Sequence, residues 1–89
     1  MNEYVYRISP ANAYLEDLNR TLKPLTYLTQ EKAVNALRNA CEKNGWKLNP
    51  EPETTEDNCL VFKNAKDGVE IARIMREQAA KWREQGQAI

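Results

Sequence analysis

An 89-residue chain with 13 basic side chains, 13 acidic ones and no histidine is one small domain, residues 1–89, without a net field to steer it toward nucleic acid or an anionic membrane. The missing histidine removes the commonest general base, the commonest metal ligand and every Ser-His or Cys-His nucleophile pair. Gly45, Gly68 and Gly86 stand far apart, which excludes a glycine-rich phosphate loop.

Cys41 and Cys59 lack metal-ligand spacing, and no apolar run is long enough to span a bilayer. The expectation is a cytoplasmic protein with two free thiols and with no cofactor, metal or catalytic residue. Acids adjoin at Glu16/Asp17 and at Glu56/Asp57, but sequence neighbours point apart and do not converge as catalytic carboxylates must. The chain is therefore read as a non-enzyme.

In chain order, residues 3 to 8 alternate, with Tyr4, Tyr6 and Ile8 on one side and Glu3, Val5 and Arg7 on the other, the pattern of a half-buried strand. Ser9-Pro10 then predicts a helix start, a capping side chain followed by proline at the first helical position. Ala11, Tyr14, Leu15, Leu18 and Leu22 form the inward stripe of that helix, Glu16 and Arg20 pair on its outside, and Pro24 ends it. The link 25–28 is apolar enough that Leu25 or Leu28 is expected beneath the next helix. Thr29 caps that helix, whose inward positions are Ala33, Val34, Leu37, Ala40 and Cys41, and Asn44-Gly45 supplies a left-handed stop.

Trp46 to Leu48 predicts a second strand ending at Pro50, and residues 51–58 a polar, acidic hairpin connection to a third strand, residues 59–63. Beyond it Ile71, Ala72, Met75, Ala79 and Trp82 recur at three- and four-residue steps, which predicts an amphipathic helix from near Ala65 to Gln85. Its start is signalled by Asn64-x-x-Asp67 and Asp67-x-x-Glu70. Residues 86–89 read as a frayed tail.

The resulting order, β-α-α-β-β-α, predicts an α+β two-layer sandwich: a small, mainly antiparallel three-stranded sheet with helices on one face. Its other face would show Val5, Cys59 and Val61 among Glu3, Arg7 and Lys63, an open surface for a partner or for a second copy of the chain in a homodimer.

This element order resembles that of type I KH domains, which implies a nucleic-acid-binding module. In that family the loop between the first two helices carries a Gly-x-x-Gly clamp, and here it reads Lys23-Pro24-Leu25-Thr26-Tyr27-Leu28 with no glycine. Arg73, Arg76, Lys81 and Arg83 on the last helix would be the phosphate contacts, but Glu70, Glu77 and Glu84 interleave with them and dilute the positive potential.

The leading expectation is a protein-interaction module, an adaptor or inhibitor of a larger assembly of the kind phages and mobile elements encode. Its partner-binding residues would be Trp82 and Arg83 at the outer end of the last helix, Arg76 on the same helix, and Glu51, Glu53, Glu56 and Asp57 of the acidic connection.

Overall fold

The computed structural model describes residues 4–22 and 25–78. Five strands make one fully antiparallel sheet: β1 (Tyr4–Pro10), β2 (Thr26–Tyr27), β3 (Glu53–Thr54), β4 (Leu60–Lys63) and β5 (Glu70–Gln78). Their spatial order is β2-β1-β5-β4-β3. Two helices, α1 (Leu15–Thr21) and α2 (Gln30–Lys43), pack on one face, so the molecule is an α+β sandwich as its patterning predicts. The sheet has five strands where three were expected, and the element order departs from the expected one and from that of the KH fold.

The largest departure is the segment read as the last helix, whose residues 70–78 form the central strand of the sheet. The physical reason is a register shift opposite Phe62 and Lys63: Lys63 pairs with Glu70 and Phe62 with Ala72, leaving Ile71 as an extra residue. The bulge puts the neighbours Ile71 and Ala72 on the core side together, with Ile74 following, and all three are fully buried. It also brings Glu70 and Arg73 onto the opposite face, where the Arg73 guanidinium donates to both Glu70 carboxylate oxygens at 2.9–3.0 Å. A strand with one bulge thus reproduces the three- and four-residue steps of a helix. The capping signals have a different use as well. The Asn64 side chain accepts from the Lys66 amide at 2.9 Å and that of Asp67 from the Val69 amide at 3.0 Å, two Asx turns that close the β4–β5 connection around Gly68 at φ +73°.

Ser9-Pro10 does not start a helix; both residues extend β1. Pro10 pairs with Ala72, and Ala11 continues the ladder by donating to the Ile71 carbonyl at 2.8 Å. Proline is tolerated there because among the described residues β1 has no strand partner at Pro10 on the side where its amide would point, the β2 pairing ending at Arg7. A 3-10 turn at Asn12–Tyr14 then leads into the short α1, which buries Leu18 but leaves Leu15 exposed. On α1, Arg20 pairs with Asp17 rather than Glu16. In the link, Leu25 packs against the core and Leu28 is solvent-exposed.

The α2 expectations hold. The Thr29 hydroxyl accepts from the Lys32 amide at 3.2 Å, and Ala33, Leu37, Ala40 and Cys41 are buried. The core lies between α1, α2 and the inward side chains of β1, β5 and β4, with Phe62, Ile8, Leu37 and Ile74 its largest fully buried members. Each such side chain contributes about 1.5–3 kcal/mol by leaving water.

On the far face of the sheet, Val5 and Val61 are not open as expected but 1% and 4% exposed. Around them the charges are paired: Arg7 with Glu77 at 2.8 Å, Lys63 with Glu53 at 3.0 Å, and Arg73 with Glu70. Arg7 also reaches the Met75 sulfur at 3.4 Å.

Candidate functional site

Of the residues expected to bind a partner, Trp82 and Arg83 lie outside the described residues. Glu51, Glu53, Glu56 and Asp57 are all exposed, along and beyond the β3 edge. Glu56, Asp57 and Asn58 form a tight hairpin turn, closed by Thr55 N–H donating to Cys59 O at 2.9 Å, with Asn58 left-handed at φ +61°. Glu53 is held by Lys63. Arg76 lies on a strand, not a helix, and its guanidinium sits 4.3 Å from the centre of the Tyr4 ring. Arg73 and Arg76 fall on opposite faces of β5, because Arg76 pairs with Tyr6 on the helix side and Arg73 with Ser9 on the other. The basic helix face required for phosphate contacts is therefore not formed by these two.

A different group of side chains converges at the opposite end of the sheet, around Trp46. The chain reaches it through the end of α2. Gly45, at φ +77°, donates to Glu42 O at 3.0 Å, and Trp46 N–H donates to Cys41 O at 2.9 Å, the paired bonds of a Schellman stop. That motif sends the residue after glycine back against the last helical turn. Trp46 lands edge-to-face with Tyr14, ring centres 4.7 Å apart. The Tyr14 hydroxyl accepts from the Asn64 side-chain amide at 3.3 Å. Residues 46–48, expected as a strand, contribute only a bridge from Leu48 to Asn64, supported by Ala65 N–H donating to Lys47 O at 2.7 Å.

Two open clefts flank this loop. One, about 370 Å³, lies against the end of α2, where Arg38, Cys41 and Glu42 face Trp46 and Leu48. The other, about 500 Å³, lies against the β4–β5 turn at Asn64, Lys66 and Asp67. They share Gly45, Trp46 and Lys47. At the same end, Leu15 next to Tyr14 is 42% exposed, and Val69, whose carbonyl accepts from the Asn64 amide, is 46% exposed. Of the three large exposed apolar side chains among the described residues, Leu15 thus adjoins Tyr14 in the chain and Val69 is hydrogen-bonded to Asn64, the partner of the Tyr14 hydroxyl. The third, Leu28, continues β2 toward the Tyr4 end of the sheet.

Among the described residues no group of three or more His, Cys, Asp or Glu side chains is placed to hold a metal ion. Burial pushes the Cys41 thiol up to about 11, so it stays protonated and weakly nucleophilic at neutral pH. No helix among the described residues is long and apolar enough to cross a membrane.

No protein-family model, curated protein or solved structure matches the chain. The site therefore stands on its geometry. Sequence reasoning passed over Trp46 by reading it as the start of a strand, although Asn44-Gly45 carried the signal: the residue after a left-handed helix stop folds back onto the helix.

Proposed function

We propose that the protein is a protein-interaction module whose docking face is the Trp46 end of the sheet. The observation that carries this reading is the half-buried, edge-to-face Tyr14–Trp46 pair beside two open clefts, with exposed Leu15 next to Tyr14 in the chain and exposed Val69 hydrogen-bonded to Asn64, whose side chain reaches the Tyr14 hydroxyl. Apolar and aromatic side chains gathered on a rigid frame supply most of the free energy of protein association, with Trp, Tyr and Arg prominent among the residues whose loss costs most. The acidic β3–β4 hairpin supports docking less well. Its carboxylates are solvated or already paired, and exposed ion pairs contribute about 0–1 kcal/mol.

The test is co-purification of the intact protein from its own cells against three variants, each first shown to unfold at the parental temperature. Leu15→Glu combined with Val69→Glu is expected to abolish recovery of the partner. Leu28→Glu is expected to leave it unchanged, and Glu56→Lys with Asp57→Lys to change it less than threefold. A partner lost with the hairpin variant and retained by the Leu15/Val69 variant would move the docking face to the acidic edge.

A further inference from the structure

Arg7, Arg20, Lys63 and Arg73 each have a carboxylate partner, whereas among the described residues Lys32, Arg38, Lys43, Lys47, Lys66 and Arg76 form no ion pair. Three of these six, Arg38, Lys47 and Lys66, line the two clefts beside Trp46. We infer that the two clefts, which share Gly45, Trp46 and Lys47, bind an extended acidic peptide segment of the partner that crosses between them, with an apolar side chain against Trp46 and Leu48 and carboxylates on Lys47, Lys66 and Arg38. The inference rests on the docking face proposed above and specifies what occupies it.

Charge complementarity selects the acid, and the two cleft carboxylates select a peptide over a nucleic acid. Glu42 and Asp67 lie in the same clefts as the cations. A peptide carries backbone N–H donors that meet such carboxylates as well as side-chain carboxylates that meet lysine. A phosphodiester backbone offers acceptors only, and Glu42 and Asp67 repel it. The floor admits a chain at close range, because nothing lies within 4 Å of where a Gly45 side chain would begin. Trp46 and Leu48 provide the apolar contact that separates a specific site from a diffuse cationic surface.

The experiment selects peptides from a phage-displayed library of random 12-residue sequences on the immobilised full-length chain, then measures their affinity by fluorescence anisotropy. The expected result is enrichment of sequences with Asp or Glu flanking a large apolar residue, and affinity at least tenfold weaker for Lys47→Glu combined with Lys66→Glu. Lys47→Ala with Lys66→Ala should lose roughly threefold, and Glu56→Lys nothing. The inference is overturned if basic or neutral sequences dominate, if nothing is enriched, or if the double charge reversal leaves affinity intact. It is equally overturned if a 12-nucleotide oligothymidylate binds more tightly than the enriched peptides and is lost in the same variant. Co-purification separates this inference from the reading beneath it. A partner that is lost with Leu15→Glu/Val69→Glu but survives Lys47→Glu/Lys66→Glu keeps the docking face and refutes the acidic segment.

Discussion

Cys41 lies on the inward side of α2 at 1% exposure, and burial lifts its pKa from 9.0 to about 11. In the unfolded chain the thiol ionises near its ordinary value while the folded chain still holds the proton. The folded state therefore binds more protons in that window, and stability falls as pH rises from about 9 to 11, at up to about 1.4 kcal/mol per pH unit. Tyr27, raised by burial, adds to the same loss at the upper end. Urea titrations between pH 8 and 11 should show this decline, and Cys41→Ala should flatten it while lowering the plateau. At Gly68 an added side chain would meet no atom within 4 Å, yet φ is +73°. Gly68→Ala is expected to cost about 1–2 kcal/mol through backbone strain alone, read as a lower urea midpoint with an unchanged slope.

At the scale of elements, what was legible in the sequence was whatever obeyed a single period. The strand 60–63, the Thr29 cap and the buried stripe of α2 each follow one rule over a short span, and each is where the pattern puts it. β5 escaped because one inserted residue, Ile71, changes the phase of its alternation, and the change is defined only by the register against Phe62 and Lys63. Local sequence cannot reveal that partner. The same holds for Ser9-Pro10, a good helix start by itself, which remains in a strand because β5 supplies the ladder. Of the candidate site, the acids were visible as a run of charge, whereas the Trp46 end draws on residues 14 and 15, 46 and 69 from three separate segments. If β5 is the central strand, a solution NMR spectrum should contain cross-strand contacts between Ile8 and Ile74 and between Tyr6 and Arg76. Helical contacts three residues apart within 70–78 would contradict it. Phe62→Ala, which empties a fully buried core position on β4, should cost about 3–5 kcal/mol and approach the whole stability of so small a domain.

Over the whole molecule, equal numbers of acids and bases conceal an uneven arrangement. The far face of the sheet consumes its cations in pairs, while the Trp46 end keeps unpaired cations beside exposed Leu15 and Val69. Frame and proposed docking face are separable for this reason: the first depends on the buried ladder and core, the second can be altered at exposed Leu15, Lys47, Lys66 and Val69. Site-specific photo-crosslinking tests that separation most directly, with a benzophenone side chain placed at Val69, at Leu28 or at Glu56 of the full-length protein in its own cells. The account predicts one discrete cross-linked species from Val69 and none from Leu28 or Glu56. Cross-linking of the same species from Glu56 or Leu28, with Val69 silent, would contradict it.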